Sequence, residues 1–363
     1  MTTWGFTLED STGLVLGYTN SLSNMTLTMP LNGPATLSAS IAHNSTDQTV
    51  VYNQLGTGAL FLRAARDGTT RFYGVLNDMQ TSLGDTGETA MTFTDLSGVL
   101  ASVSNYTISS GRIKPYYKRT PTWTTVIDEM LAKPSSLSPI ARLTRSGTRS
   151  GHVPSNDVLE SGSGKRIIKT NIWKPQSTSV LETLQELSGF ADGIEWYVSP
   201  DNTFTMAQTL GSDVSDSVFF DYGRDTRGNV QSVDMQFQPP VNDLFWVDTS
   251  SNVHRSRSGY LTSSISTFGD YSTTYNSMAR RNQSDEDRAS SRARANWRFV
   301  TSLIAEPLKA PSPWTDYFLG DTVSVRIKKD ALELQSGLRV NQLVITTDAQ
   351  NAETSHELTF EVL

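Results

Sequence analysis

The stretch DYFLGDTVSVRI (316–327), followed by LRVNQLVITTDAQNAETSHELTFEV (338–362), carries the strongest fold signal in this 363-residue sequence. Three strands are predicted here because apolar and polar residues alternate, as they do in a half-buried sheet. The sequence stops on an apolar strand, so we expect that strand to be paired into a sheet. The apolar positions are, strand by strand, Val323, Val325 and Ile327; Val340 to Ile345; and Leu358, Phe360 and Val362.

A second strand-rich region lies near the amino terminus. The segment ALFLRAARDGTTRFYGVLNDM (59–79) predicts two strands joined by a turn at Asp67 and Gly68. Asp-Gly between alternating apolar residues is a strong hairpin signal because Gly tolerates the positive φ that such a turn needs. A further strand is predicted in ETAMTFTDLSGVL (88–100). Three earlier runs of alternating residues, at 4–8, 14–16 and 25–41, also predict strands.

A helix is predicted in the segment RTPTWTTVIDEMLAKP (119–134). Its apolar residues recur at helical spacing, which places them on one face. Thr120 is the expected N-cap, Pro121 the first helical residue, and Pro134 the residue that ends the helix.

A second helix is predicted from about Ser179 to Ser188. Ser179 and Glu182 have the spacing of a capping box, and Gly189 suits the position after the helix. The segment GIEWYVSPDNTFTMA (193–207) follows and predicts a hairpin with its turn at 199–202. A helix followed by a hairpin indicates a compact α+β unit.

The segment 142–169 shows no clear periodicity and is rich in Gly, Ser, Arg and Lys. We expect a long, exposed, basic loop, and loops of this length are uncommon unless they bind something or are disordered. Its cationic residues are Arg142, Arg145, Arg149, Lys165, Arg166 and Lys169.

Strand patterns return after Asp213, and a polar segment at about 249–284 is predicted to be an insertion. A third helix is expected after Ser284, followed by a strand at 301–308. Six arginines cluster around this helix, and alternating charge near its start indicates ion pairs on the helix surface. They are Arg280, Arg281, Arg288, Arg292, Arg294 and Arg298.

Composition excludes several classes of protein. The net charge of −7 and pI near 5.2 do not indicate a basic nucleic-acid-binding surface. The absence of cysteine excludes disulfides and thiolate metal sites. The amino terminus lacks the features of a secretory signal, and no apolar run is long enough to predict a membrane-spanning segment.

No catalytic, cofactor-binding or metal-ligating residue is predicted. The segment SGSGKR (161–166) lacks the first Gly and the final Ser or Thr of a phosphate loop. The four histidines are dispersed without metal-ligand spacing, and His356 is expected to be half-exposed in a strand. The other three are His43, His152 and His254.

Carboxylates cluster in two places along the sequence. The group 285–287 suits a helix start, where negative charge complements the helix dipole. The group Asp213, Asp216 and Asp221 flanks a predicted strand, and sequence leaves a glycosidase pair or a Ca²⁺ site there open. For the basic clusters, a solvated or subunit-facing surface is favoured over nucleic-acid binding.

The chain resembles the tail-tip or baseplate hub proteins of tailed bacteriophages, known as minor tail proteins in long-tailed phages of actinobacteria. The resemblance lies in the order of several segments that together cover most of the chain. They are ARDGTTRFYGVL (65–76), GFADGIEWYVSPDNTFTM (189–206), YFLGDTVSV (317–325), LRVNQLVITTD (338–348) and HELTFEV (356–362).

The resemblance implies an α+β, mainly β fold with two tail-tube-like β-sandwich or barrel domains and smaller α+β insertions. On this chain the first tube-like domain is expected at 1–105 and the second at 213–363, the latter with an insertion at about 249–284. An α+β insertion with the basic loop fills 106–212. The two tube-like domains are expected to have related cores.

The resemblance also implies a structural virion protein of the tail tip, made in the host cytoplasm and involved in tail assembly, host attachment and genome ejection. Three copies would form a ring that closes the tail tube. The expected partners are the distal tail protein, the tape-measure protein and the central fibre or other minor tail proteins, with DNA passing through the lumen. The chain is expected to have no enzymatic activity and no cofactor.

The alternative is a carbohydrate- or receptor-binding tail protein, since seven Trp and twelve Tyr would suit sugar stacking. Several of these aromatic residues, including Trp196, Tyr197 and Trp246, fall in predicted strands, where core packing is expected instead. A glycan-cleaving enzyme is a weaker third class.

Overall fold

The computed structural model describes most of the chain. The described residues are 3–19, 21–42, 46–56, 58–82, 87–109, 112–116, 118–133, 143–155, 157–163, 166–175, 177–190, 193–223, 228–237, 241–247, 253–268, 270–276, 298–329 and 332–360.

Strands predominate over helices. The strands of the amino-terminal part are β1 (Trp4–Glu9), β2 (Val15–Thr19), β3 (Leu22–Pro30), β4 (Thr36–Ala42), β5 (Phe61–Arg66), β6 (Thr69–Thr81) and β7 (Glu88–Thr94). Those of the middle are β8 (Tyr106–Ser109), β9 (Arg112–Pro115), β10 (Lys118–Arg119), β11 (Thr144–Ser146), β12 (Asp157–Ser163), β13 (Arg166–Trp173), β14 (Glu195–Val198) and β15 (Thr203–Ala207).

The carboxy-terminal part completes the set. Its strands are β16 (Phe219–Gly223), β17 (Val230–Phe237), β18 (Asp243–Val247), β19 (Val253–Tyr260), β20 (Ser272–Asn276), β21 (Arg298–Ala305), β22 (Thr322–Lys329), β23 (Leu332–Thr347) and β24 (Glu353–Phe360). The helices within the described residues are α1 (Thr46–Leu55), α2 (Leu96–Val99), α3 (Trp123–Ala132), α4 (Val180–Ser188) and α5 (Thr262–Phe268), with a 3₁₀ turn at Leu100–Ser102. This is the expected α+β, mainly β fold.

One large sheet unites the two ends of the chain. Its order is β17-β21-β24-β23-β3-β4-β7-β6-β5-β1-β2, and every neighbouring pair in that order is antiparallel. Two further strands extend it, since β22 pairs with β23 and β16 pairs with β22. The middle of the chain forms the small sheets β10-β13-β12 and β11-β15-β14.

The same strand connectivity occurs twice in the large sheet. In the first β repeat, which comprises β3 to β7, the strands β3, β4, β7 and β6 lie side by side and β5 pairs with β6. In the second β repeat, which comprises β17 and β21 to β24, the strands β17, β21, β24 and β23 lie side by side and β22 pairs with β23. The two ends of the chain therefore carry β cores of the same connectivity.

A long strand bends at the same place in each repeat. Strand β6 pairs with β5 through Val75 and with β7 from Val75 onward, with a register shift after Leu76. Strand β23 pairs with β22 through Arg339 and with β24 from Val340 onward, with a register shift after Val340. Such irregularities bend a strand and increase its twist, which lets one strand serve two sheet segments.

The turn between β5 and β6 confirms the predicted hairpin. Asp67 has φ of 49° and Gly68 has φ of 79°, so both central residues adopt the positive φ of a type I′ turn. The predicted hairpin at 193–207 is confirmed as well, with Asn202 at φ 63° in its turn. Asn tolerates this conformation better than most residues.

Two buried clusters divide the hydrophobic core. The first contains residues of both β repeats, including Leu27, Phe93, Leu343 and Leu358, all fully buried. The second contains the middle of the chain and packs α3 and α4 against the β14–β15 hairpin. Its largest members are Trp123, Trp173, Trp196 and Phe204.

The first two predicted helices form, as α3 and α4, with corrections at their ends. Thr122, not Thr120, caps α3, since its hydroxyl accepts from the amide of Thr125. Thr120 has φ of 38°, which places it in the preceding turn. The capping box of α4 is confirmed in both directions between Ser179 and Glu182.

The structure corrects the prediction of one long loop at 142–169. This segment contains β11 and most of the β12–β13 hairpin, and Leu143 and Val153 are buried in the second core cluster. Backbone pairing forms these strands in a Gly- and Ser-rich segment that lacks the side-chain alternation by which strands are detected. Helix α1 was also not predicted, because its 10 residues have little amphipathic character.

Other expectations fall partly or wholly outside the described residues. The third helix expected after Ser284 lies in 277–297, which is outside them. The expected strand at 301–308 is found as β21, and the polar segment 249–284 contributes β19, α5 and β20 around β18. The domain boundaries near 105 and 213 stay predictions.

Candidate subunit interface

Strands β3 and β23 form the junction between the two β repeats. Gln342 to Thr346 pair antiparallel with Pro30 to Thr26. Just before this stretch, Val340 accepts from the amide of Gly320 and donates to the carbonyl of Asp321, both in the segment that leads into β22. On its other side Val340 is paired with β24. Strands β22 and β3 therefore follow one another along a single edge of β23.

The equivalent edge of β6 is open in the described structure. Strand β5 occupies it as far as Leu76, whose amide donates to the carbonyl of Leu60 at 2.8 Å. From Asn77 to Thr81 no described strand replaces β5 there. Asn77, Asp78 and Gln80 are exposed, whereas Met79 packs partly against the first core cluster.

Eight consecutive strands of the large sheet, from β17 to β6, form what we call the eight-stranded run. Strand β17 presents its other open edge. It pairs with β21 on one side, and on the other side none of the described strands pairs with it. Val233 and Met235 pack partly against the first core cluster, while Gln231, Asp234 and Gln236 are exposed. One face of this edge strand thus continues the core and the other faces solvent.

Strand β2 ends the large sheet on its far side. Leu14, Val15 and Tyr18 are exposed there, with Tyr18 at 80%. These apolar side chains are a further candidate contact surface.

A buried charge cluster fastens the first repeat to the second. Arg66 of β5 donates from Nε to Glu353 Oε1 at 2.6 Å and from Nη2 to Glu353 Oε2 at 2.8 Å. Glu353 also accepts from the indole Nε1 of Trp4 at 2.9 Å and lies 2.8 Å from His356 Nε2. These contacts account for both oxygens of a carboxylate that is only 2% exposed.

The ionisation of Glu353 reflects these partners. Burial raises the pKa of this carboxyl, but hydrogen bonds and positive charge from His356 and Arg66 outweigh burial and lower the pKa to about 2. Nearby, burial raises the pKa of Tyr317, whose hydroxyl has no hydrogen-bond partner among the described residues. The cluster is therefore suited to holding strands together rather than to proton transfer at neutral pH.

His356 corrects one prediction. It was expected to be half-exposed in a strand, but it is fully buried. The reason is that β24 lies inside the large sheet, between β21 and β23, and Glu353 offers His356 a buried partner. Of the other histidines, His43 lies outside the described residues, while His152 and His254 are in separate small elements.

The carboxylates near β16 have separate partners. Asp213 accepts from the amide of Ser215, and Asp221 forms a two-bond ion pair with Arg326 of β22 at 2.5 and 2.6 Å. Both residues line a cavity of about 500 Å³, where the positive charge of Arg326 offsets the negative charge of Asp221. In the part of the chain that the structure describes, no three His, Cys, Asp or Glu side chains form a metal-binding group. The acidic run 285–287 lies outside that part.

The basic residues of 142–169 are partly accounted for. Arg145 pairs with Asp128 of α3 at 2.5 Å, and Arg149 lies over the ring of Trp123. Residues 161–163 end β12 and residue 166 begins β13, with which β12 pairs antiparallel, a context that differs from the strand-to-helix turn of a phosphate loop. Arg142, Lys165, the arginines at 280–294, and the side chains of Arg166, Lys169 and Arg298 lie outside the described residues.

The aromatic residues in strands fall mainly in the core, as expected. Trp196 is fully buried and stacks on Phe204 with ring centroids 5.0 Å apart. Tyr197 is half-buried and packs edge-on against Phe318. The side chain of Trp246 lies outside the described residues. None of the described helices is long and apolar enough to cross a membrane.

Solved structures of tail proteins share this fold. A tail protein from Neisseria meningitidis MC58 is 11% identical, covers 99% of this chain and 96% of its own length, and has a TM-score of 0.57. The 43 kDa tail protein of prophage MuSo2 from Shewanella oneidensis is 9% identical, with coverage of 99% and 97% and a TM-score of 0.60.

The prophage tail protein gp18 from Listeria monocytogenes EGD-e is 7% identical, with coverage of 98% and 94% and a TM-score of 0.58. No protein-family model matches the sequence, and no curated protein matches it significantly. The match in structure over nearly the whole length of each partner shows that this chain has the fold of phage tail proteins.

Proposed function

We propose that this protein is a structural component of a phage tail, and that three copies form a ring that closes the tail tube as a tail-tip hub. One observation supports the proposal: the two open strand edges of the chain, on β6 and β17, are equivalent to the two edges that pair at the β23–β3 junction within the chain. The edge of β6 after Leu76 corresponds to the edge of β23 that β3 occupies. The outer edge of β17 corresponds to the edge of β3 that meets β23.

The internal junction therefore supplies a template for contact between subunits. If β6 of one subunit meets β17 of the next as β23 meets β3, the eight-stranded run continues from chain to chain. The pair is antiparallel, because seven antiparallel steps separate β17 from β6 in the sheet. Unpaired strand edges are strong templates for such pairing.

The register of this contact follows from equivalent residues. Asp78 of β6 is equivalent to Gln342 of β23, because each is the first paired residue after the register shift in its strand. Asp78 pairs with Thr92 of β7, and Gln342 pairs with Thr359 of β24. Asp234 matches Thr26 because they pair with the equivalent serines Ser302 and Ser38.

Transferring the pairs of the internal junction then gives the subunit contact. In that junction Val344 pairs with Thr28 and Ile345 with Leu27. The corresponding pairs are Gln80 with the partner subunit's Gln236, and Thr81 with the partner subunit's Met235.

A heterologous contact of this kind forms a ring if its rotation closes. The resemblance to hub proteins implies a tail tube of six-fold symmetry. Because each chain has two β repeats, three chains supply six. The ring would join the distal tail protein and the tape-measure protein to the central fibre or other minor tail proteins, with DNA passing through its lumen. In this role the chain acts by assembly and has no catalytic activity of its own.

Cysteine cross-linking tests the contact, since the natural chain has no cysteine. The full-length double variant Gln80→Cys/Gln236→Cys is oxidised and run on a non-reducing gel. Directly opposed residues of an antiparallel pair have Cα atoms about 4.5–5.5 Å apart, within disulfide range. We expect a covalently closed trimer that reverts to monomer on reduction.

The matched control is Gln80→Cys/Gln231→Cys. Residue 231 lies in the same strand but about 17 Å further along it, so no disulfide is expected. Cross-linking that stops at dimers would indicate a two-fold contact, and an open ladder would indicate a filament; either result contradicts the closed trimer. Absence of cross-links with the 80/236 pair, or equal cross-linking in the control, would contradict the proposed register.

A further inference from the structure

A cavity of about 280 Å³ lies where three parts of the chain meet. Strand β6 contributes Arg71 and Phe72, the β14–β15 hairpin contributes Tyr197 and Ser199, and the loop before β22 contributes Trp314 and Phe318. The volume equals that of about nine water molecules at ~30 Å³ each, which suits one ring with its substituents.

Aromatic rings build one wall of this cavity. Trp314 stacks on Phe318 with centroids 6.0 Å apart and an interplanar angle of 29°. Tyr197 meets Phe318 edge-on at 5.4 Å. These contacts hold the rings in place without a ligand, so a flat guest would meet a preformed surface.

Arg71 is a cation without a paired anion at this wall. Its guanidinium carbon lies 5.0 Å from the ring centroid of Trp314. Its Nε is buried and has no hydrogen-bond acceptor among the described residues, and no described carboxylate forms an ion pair with it. Burial and the nearby charge of Arg66 lower the pKa of Arg71, which reflects the lack of a compensating anion.

Arg66 shows the contrast. It also lies over Trp314, at 5.5 Å, but Glu353 binds it through two oxygens and Ser312 accepts a further bond at 2.9 Å. Two arginines therefore flank the same indole, and among the described residues only Arg66 has a carboxylate partner. A buried donor that lacks an acceptor is costly, so the Arg71 site favours an incoming acceptor.

Asp95 also lines the cavity, but its carboxylate does not act as the acceptor for Arg71. Its Oδ1 accepts from the amides of Ser97 and Gly98 and from the Ser97 hydroxyl, and its Oδ2 accepts from the amide of Ala35. The carboxylate is thus committed to capping α2 and to the β3–β4 connection.

We propose that this cavity binds a carboxylate attached to a single six-membered ring, with the carboxylate on Arg71 and the ring against Trp314, Tyr197 and Phe318. The guanidinium fork matches the two oxygens of a carboxylate. The ring could belong to a sugar acid, such as a uronic acid unit of a glycan, or to an aromatic acid. This role goes beyond the assembly role proposed above, and Arg71 lies in the part of β6 that pairs with β5, before the open edge that begins at Asn77.

Titration calorimetry on the full-length protein tests the site with four probes: glucuronate, its neutral relative glucose, benzoate and its neutral relative benzyl alcohol. We expect at least one carboxylate to bind, with affinity at least about tenfold above its neutral relative, the size expected for a charged hydrogen bond. Binding of glucuronate alone would identify a sugar acid, and binding of benzoate alone an aromatic acid.

Three variants locate the binding. Arg71→Gln should weaken carboxylate binding at least about tenfold, whereas Arg63→Gln, which alters an arginine that stacks on Tyr73 but is paired with Glu9, should leave it unchanged. Arg71→Lys keeps the charge and loses the two-bond fork, so we expect an affinity between those of the natural protein and Arg71→Gln. If circular dichroism shows that Arg71→Gln is unfolded, the affinity of Arg71→Lys tests the proposal instead. The proposal is overturned if no carboxylate binds, if neutral relatives bind equally well, or if folded Arg71 variants bind as the natural protein does.

Discussion

Arg66 and Glu353 are 287 residues apart in sequence, yet their side chains form two parallel hydrogen bonds of 2.6 and 2.8 Å in the core. The pair joins β5 of the first β repeat to β24 of the second. Its side chains are 8% and 2% exposed. The chain thus fastens its two repeats with a buried ion pair in addition to the β3–β23 ladder.

We predict that Glu353→Gln destabilises the fold by about 3–5 kcal/mol, the usual cost of leaving one buried charge without its partner. The substitution keeps the size of the side chain and removes its charge, so Arg66 loses its counter-ion. Urea unfolding followed by circular dichroism measures the change.

Glu333→Gln is the matched control. Glu333 pairs with Lys328 at 3.8 Å, and both side chains are more than 70% exposed. The free energy of unfolding should change by less than about 0.5 kcal/mol there. Equal effects at the two positions would show that the Arg66–Glu353 pair has no special weight.

The low pKa of Glu353 predicts a loss of stability in acid. Its pKa falls from 4.5 to about 2 on folding. Because the folded pKa is depressed, this contribution is fully present above about pH 4.5 and is lost as the pH falls towards 2. A change of this size corresponds to about 3 kcal/mol.

Unfolding free energies at pH 6, 4 and 3 check this. The natural protein should lose stability across this range more steeply than Glu353→Gln, which lacks the titrating group. Parallel pH profiles for the two proteins would contradict the assignment.

The sequence predicted those features that depend on neighbouring residues. The β5–β6 hairpin was predictable because Asp67 and Gly68 favour a tight turn, and the terminal strands because apolar residues alternate along them. The capping box of α4 was predictable because Ser179 and Glu182 are three residues apart.

Features that depend on distant residues were not predictable. Nothing local to Arg66 or Glu353 indicates that they meet, and His356 is buried only because β24 becomes an interior strand. The open edges of β6 and β17 could not be predicted without knowing the order of strands in the sheet. The aromatic cavity at Arg71 could not be predicted because it forms only where three segments distant in sequence meet. The β12–β13 hairpin escaped detection because β12 ends in Ser and Gly and because apolar and polar residues do not alternate along either strand.

Leu143 gives a test of the corrected reading of 142–169. It is 8% exposed in the second core cluster, so Leu143→Ala should cost about 2–4 kcal/mol by removing buried apolar contacts. The control Thr148→Ala changes an exposed side chain of the same segment and should have little effect. Thermal unfolding that is unchanged in both variants would restore the interpretation of this segment as an exposed loop.

Gly211 is expected to tolerate no side chain. It has φ of 82° where the chain enters the second part of the large sheet, and a Cβ there would lie 2.2 Å from the carbonyl carbon of Gly320. Gly320 also has positive φ, at 85°, so two glycine backbones pack directly against each other. Alanine at 211 would force this contact apart, which alters the entry to β22 at Asp321, the residue that accepts from the amide of Ser212.

Gly68→Ala isolates the steric part of this effect. Gly68 has a similar φ of 79° but open space around the position of a Cβ, so alanine there should cost only the conformational penalty of about 1–2 kcal/mol. Gly211→Ala should pay that penalty and the backbone clash together, and we expect it to cost at least about 3 kcal/mol or to prevent folding. Urea unfolding of both variants gives the comparison. If the two substitutions cost the same, the backbones at Gly211 and Gly320 can separate freely, and the close approach there does not fix how the middle of the chain joins the second β repeat.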